Sequence, residues 1–244
     1  MPDYTNNTIN NIHLPLACYR VRFQARERVN LPVFPGSAWR GAFGHALRRA
    51  LCVTHASACA DCAFWRGCGY AYVFETPPPV QTGKLRKYPA VPHPFVLDVG
   101  LGEASLEPGE IYTLGVTLIG DGVRYLPAIM YALERAGAEG VADAQFALKC
   151  IERRIHSSME PVYKTVDGSE PQPAESPQIP PLPDRVRLIL ETPMRLKSQG
   201  NVTGIRDFNF GGFFSNLLRR ISLLSYFHTD HALETDFAGL TRAA

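Results

Sequence analysis

Arg40, His45, Arg48 and Arg49 are crowded into one stretch, "PGSAWRGAFGHALRRALC" (35–52), and His55 follows just beyond it. Arginines offer planar, paired contacts to phosphate oxygens, and a histidine near its ordinary pKa can take a proton from a hydroxyl. Those are the parts of metal-independent phosphodiester cleavage: a base for the attacking hydroxyl, a held in-line geometry, and cations where negative charge gathers. His45, flanked by Arg40, Arg48 and Arg49, is the candidate base, and Arg40 and Arg22 are the other catalytic candidates. A second arrangement has no dedicated base and leaves orientation and charge stabilisation to Arg20, Arg22 and Arg40. The plain structural alternative is that His45 lies on a merely polar helix face.

Four thiols form a second set. Cys52, Cys59, Cys62 and Cys68 fall within 17 residues, with a C-x2-C pair at the centre. That spacing suits tetrahedral zinc, and a site closed by four protein ligands is structural rather than catalytic. His55 can replace one cysteine, an iron–sulfur cluster is the alternative occupant, and unliganded thiols in a small insert are the plain reading. Cys18 and Cys150 fall in expected strands and read as core.

These residues need elements to position them. "LACYRVRFQARER" (16–28) alternates, so Tyr19, Val21 and Phe23 point one way while Arg20, Arg22 and Gln24 point the other, with Arg26 and Arg28 continuing that side. Glu27 is the one acid among these arginines, so the open face is expected to be basic. Ser37 is the expected N-cap of the next helix. At about 100° per residue, Trp39, Phe43, Ala46, Leu47, Ala50 and Leu51 share an apolar arc, with His45, Arg48 and Arg49 opposite and Arg40 at the boundary.

Further strands are expected at 70–76, 94–100, 111–120 and 144–155, and a helix at 124–137 closed by Gly137. Leaving one extra strand aside, the order is β-α-β-β-α-β, the ferredoxin-like arrangement. Its open sheet face is a platform that RNA-recognition domains use. The proline-rich "GSEPQPAESPQIPPLPD" (168–184) reads as a linker. A second unit would then begin with a strand at 185–196 and a helix at 207–228, with Leu217, Ile221, Leu224 and Phe227 on one side. The expected fold class is α+β, with tandem ferredoxin-like units (1–167 and 185–244), the second incomplete, and a cysteine-rich insert after the first helix.

The formal net charge of +2 conceals an asymmetry. Residues 1–90 hold 11 Lys and Arg against 4 Asp and Glu, and the remainder 14 against 19. A basic first third points to an anionic partner. Lys84, Arg86 and Lys87 in "GKLRKY" either clamp a nucleic-acid backbone or form a solvated loop, and Arg219 and Arg220 read as a solvated helix flank that is also a candidate contact. No apolar run is long enough to span a bilayer, and "MPDYTNNTINN" does not read as a secretory signal. The expected compartment is the cytoplasm, where cysteines stay reduced.

Two pairs of stretches together resemble a known family. The first is "GSAWRGAFGHALRRALC" followed by "CADCAFWRGCGYAYVFETP". The second is "LETPMRLKSQG" followed by "FFSNLLRRISLLSYFH". In this order they resemble the CRISPR-associated endoribonucleases of the RAMP superfamily, which cut precursor CRISPR RNA within its repeats. The resemblance covers residues 15–240. It implies two tandem ferredoxin-like units, metal-independent cleavage, retention of the guide RNA, and other subunits of a CRISPR complex as partners. A histidine in or near the first helix often acts as base in that family, which is the position of His45. If the partner is RNA, the basic residues Arg20, Arg26, Arg48, Arg49, Lys84, Arg86, Lys87, Arg219 and Arg220 are the candidate contacts. Family members usually carry a glycine-rich loop and further strands late in the second unit. Here "NFGG" (209–212) opens a helix instead, which fits a truncated sequence or a shortened variant such as those of type IV systems. The other readings are a non-catalytic guide-RNA-binding subunit and a zinc-bearing protein-interaction module.

Overall fold

The computed structural model describes residues 14–84, 91–100, 104–156, 158–162, 185–190, 194–198 and 201–244. The linker 168–184 lies outside them, as do Arg86 and Lys87.

The alternation in the first strand is realised in β1 (Leu16–Ala25), where every second side chain is buried. It pairs antiparallel with β5 (Ile111–Ile119) on one side and β6 (Phe146–Ile155) on the other. β3 (Phe95–Val99) extends the sheet beyond β5, and β7 (Ser158–Pro161) beyond β6. The order is β3-β5-β1-β6-β7. With α1 (Gly36–Leu51) and α2 (Leu126–Glu139), and β7 set aside, this is the ferredoxin-like β-α-β-β-α-β order. Short strands β2 (Val29–Leu31) and β4 (Ala104–Leu106) pair separately.

Both helices cover one face of the sheet. Trp39 of α1 is fully buried, stacked on Tyr112 at 5.4 Å and lying 4.8 Å from Phe23 and 5.5 Å from Phe146. Truncating such a residue costs about 3–5 kcal/mol. The other face is open: Arg20 lies opposite Gly115 and Glu152, and Arg22 opposite Thr113 and Cys150.

Several expected details come out differently. α1 starts before Ser37: Pro35 occupies the N-cap, and its carbonyl accepts from the Trp39 amide. Proline's fixed φ prepares a helical turn without a side-chain cap. Ala50, placed in the apolar arc, is exposed. The run at 70–76 is no strand but a π-helical turn, Ala71–Glu75, closed by a 2.6 Å bond from the Thr76 amide to the Ala71 carbonyl. A short apolar run does not distinguish strand from buried helix by its pattern. Gly137 does not end α2. A side chain there would meet the Phe23 ring at 2.8 Å, so this glycine permits close helix–strand packing, and the helix closes at Gly140.

Arg26 and Arg28 lie past the end of β1 rather than on its open face, and Arg28 pairs with Glu107 at 3.5 Å. Cys18 and Cys150 lie in strands as expected, but half-buried on or beside the open face rather than in the core.

After the linker, the described parts of 185–196 form no strand. A two-residue hairpin, β8 (Lys197–Ser198) with β9 (Asn201–Val202), precedes α3 (Phe210–His228) and α4 (Phe237–Ala243). α3 buries Phe213, Ser222, Leu224, Ser225 and His228, while Leu217 and Ile221 are exposed. The helix packs onto the first unit, and that contact selects a face rotated from the most apolar one. His228 is 1% exposed, with Nε2 2.7 Å from the Pro92 carbonyl and Nδ1 3.0 Å from the Tyr72 hydroxyl. Among the described residues no helix is long and apolar enough to cross a membrane.

Candidate functional site

The expected catalytic set His45, Arg40 and Arg22 does not converge. Arg22 points from the open sheet face, and α1 lies on the other. Along α1, His45 stands five residues from Arg40, about 140° around the helix axis. His45 is exposed, while Arg40 turns inward.

The other basic groups of α1 make structural contacts. Arg48 donates to the carbonyls of Ala56 and Ser57, and Arg49 pairs with Glu139 of α2. On the open face, Glu152 Oε2 stands 3.2 Å from Arg22 Nε and 3.9 Å from Arg20. That face is therefore partly neutralised, and its shallow cavity, lined by Cys18, Arg20, Asp98, Thr113 and Arg154, carries mixed charge. Lys84 donates to Ser222 at 2.7 Å and lies 5.1 Å from the Tyr226 ring centroid, so it holds α3. Arg26 and Arg219 are exposed.

A different constellation is assembled on the helix side. The stacked rings of Phe74 and Phe95, 6.2 Å apart, form a shelf. The Arg40 guanidinium lies 4.6 Å from the Phe74 centroid and 5.2 Å from that of Phe95. The His93 ring lies 6.3 and 5.8 Å from the same two. His93 Nδ1 is 2.7 Å from Thr76 Oγ1. Burial pushes His93 down to about 4, with the charges of Arg40 and then Arg220 acting in the same direction. The imidazole is thus neutral at physiological pH, on the same aromatic shelf as the Arg40 guanidinium. Burial also lowers Arg40, though Glu75 opposes it.

Three distant segments meet here: α1 supplies Arg40, the π-helical turn Phe74, and the lead into β3 His93, while α3 contributes the charge of Arg220. Sequence reasoning missed His93. Its one signal is local, a histidine between prolines in "VPHPF" directly before a strand, and prolines fix backbone direction without revealing what the side chain meets.

Cys52, Cys59, Cys62 and Cys68 line one cavity of about 240 Å³. Burial pushes the Cys52 thiol up, but hydrogen bonds from the His55 backbone, Thr54 and Arg48 outweigh it and the thiol lies below its ordinary value. Burial and the nearby Glu75 raise Cys59. Among the described residues no three His, Cys, Asp or Glu side chains stand as a ready-made metal centre.

Residues 14–176 match the family model described as AF_1859_N, N-terminal domain. An uncharacterized protein of Archaeoglobus fulgidus is 31% identical over 123 residues, which are 49% of this chain and 41% of the relative. The match thus spans about two fifths of that relative's length. Among solved structures, the Csm3–Csm4 subcomplex of the type III-A CRISPR-Cas interference complex is 14% identical. That alignment covers 68% of this chain and 89% of the other, with a TM-score of 0.35.

Proposed function

The chain belongs to the AF_1859_N family, and we propose that it is a CRISPR-associated RNA-binding protein that cuts precursor CRISPR RNA within its repeats and keeps the guide. The observation that carries this reading is His93, whose ring shares the Phe74–Phe95 shelf with the Arg40 guanidinium. The ferredoxin-like order and the sequence resemblance support the same reading.

In the tautomer that donates from Nδ1 to Thr76, His93 Nε2 carries a free lone pair. A phosphate drawn to Arg40 and Arg220 brings negative charge that lifts His93 back toward its ordinary range, making it a better base as substrate arrives. Nε2 takes the proton of the 2′-hydroxyl, the oxygen attacks the adjacent phosphorus, and the P–O5′ bond breaks with the 5′-oxygen taking a proton from water, leaving a cyclic phosphate and a 5′-hydroxyl; His93 then returns its proton to solvent. The two guanidinium groups stabilise the charge gathering on the phosphate. A positioned base contributes about 10²–10⁴-fold.

A second reading is a guide-RNA-holding subunit without activity. It is favoured by the separation of His45, Arg40 and Arg22 onto different sides of the unit. One assay separates the two. The protein is mixed with RNA carrying its host's CRISPR repeat, in magnesium-free buffer with EDTA, and the products are run on a denaturing gel. A single cut with a cyclic phosphate end, lost in His93→Ala while repeat binding persists, supports the nuclease. Tight binding without a cut supports the holding subunit, and absence of binding overturns both.

A further inference from the structure

We propose that Cys52, Cys59, Cys62 and Cys68 together hold one structural zinc ion, which staples the end of α1 to the turn carrying Phe74. The segment from Cys52 to Cys68 has no buried residue and no element longer than a single 3₁₀ turn. Of its 17 residues, six are half-buried rather than exposed: Cys52, Ala56, Cys59, Cys62, Trp65 and Cys68. Four of the six are the cysteines. An insert without an apolar core needs another source of order, and a metal centre supplies folding energy directly.

The backbone presents each thiol from a fixed position. Cys52 caps α1, its amide 2.8 Å from the Arg48 carbonyl. Cys59 and Cys62 bracket one 3₁₀ turn, with the Cys62 amide donating to the Cys59 carbonyl at 3.1 Å. Cys68 closes the next turn, and its carbonyl accepts from the Tyr72 amide at 2.8 Å. All four line the same cavity. Thr54 Oγ1 lies 3.3 Å from Cys62 Sγ and 3.9 Å from Cys52 Sγ, so thiols from separate turns gather around one hydroxyl.

Zinc–sulfur bonds of about 2.3 Å place tetrahedral thiolates about 3.8 Å apart. Reaching that spacing asks most of Cys52 and Cys62, since Cys59 and Cys68 already pack against the core of the unit. His55 is exposed, has φ 51°, and does not line the cavity, so the set is four cysteines rather than three and a histidine. On binding, each thiol gives its proton to solvent, and four thiolates around Zn²⁺ leave two negative charges. The Arg48 guanidinium, fixed to the carbonyls of Ala56 and Ser57 beside them, offsets part of that charge. Beyond Cys68, the chain passes directly into the Ala71–Glu75 turn and Phe74.

The test uses the full chain purified with zinc present, and its outcome is independent of whether RNA is cut. Zinc is measured by mass spectrometry, and thiols by alkylation before and after chelation. One zinc per chain, with four of the six thiols protected until the metal is removed, is the expected result. Cys59→Ser with Cys62→Ser should lose the metal and melt earlier. If that variant fails to fold, the metal content and thiol protection of the unaltered chain still decide. Zinc no higher than the buffer blank overturns the proposal, as does bound iron with visible absorption or a disulfide between any two of the four.

Discussion

Arg22 Nε stands 3.2 Å from Oε2 of Glu152, its diagonal neighbour on the adjoining strand, 130 positions away in sequence. One carboxylate serves both Arg22 and Arg20, so the face that alternation marks as basic is held in check by β6.

Glu152→Gln removes that restraint. If the open face touches RNA, affinity should rise and become more salt-sensitive, the slope steepening by roughly 0.7 for each phosphate newly contacted. Filter binding across a salt series reads this directly. Unchanged affinity and slope would remove the open face from the RNA contact.

His93→Ala should cut the cleavage rate by about 10²–10⁴-fold with little change in repeat affinity. His45→Ala should leave the rate within a few-fold of the parent, because His45 stands away from Arg40 on α1. Single-turnover rates for the two variants decide between them. The reverse ranking would return the base to His45.

Gly44 faces the Phe74 ring so closely that a Cβ would fall 2.4 Å from it. Gly44→Ala should therefore displace the shelf under Arg40 and His93. Overpacking of this kind costs about 1–3 kcal/mol. Cleavage should fall further than RNA binding, measured on the same preparation. Full activity would show that the shelf does not position the site.

Acid should weaken the fold through His93. Its folded pKa, about 4, lies below its ordinary value of 6.5, so the unfolded chain takes up the proton first. Stability from this group is complete above pH 6.5 and lost as pH falls toward 4. The buried His228, also held low by burial, acts in the same direction. In thermal melts from pH 7 to 4, His93→Gln should lose less stability than the parent, and parallel curves would contradict the shift.

Tyr72→Phe should loosen α3. It leaves the buried Nδ1 of His228 without its 3.0 Å partner, a loss of about 1–3 kcal/mol. Hydrogen exchange should quicken in 210–228 before it does in β1. Uniform exchange would mean that α3 is held by other contacts.

Much of the unit was legible because its signals are local. The period-two burial of β1 needs only the order of Tyr19, Val21 and Phe23, and the buried side of α1 needs only the spacing of Trp39, Phe43 and Leu47. The C-x2-C pair likewise declares itself in four residues. The run at 70–76 folds as a π-helical turn because a short apolar segment fits both strand and helix, and α3 buries the side that docks against Tyr72 and Pro92, which its own periodicity does not single out.

The sequence by itself determined which residues are apolar, which are charged, and at what period, and therefore β1, β3, β5, β6, α1 and α2, though not the turn at Ala71–Glu75. Only the tertiary structure decided which charges meet. Glu152 reaches Arg22 through strand pairing, Arg40 and His93 share two aromatic rings through the packing of α1 on β3, and Arg220 acts on His93 once α3 docks. These are contacts between distant segments, and local periodicity carries no record of its partner across the fold.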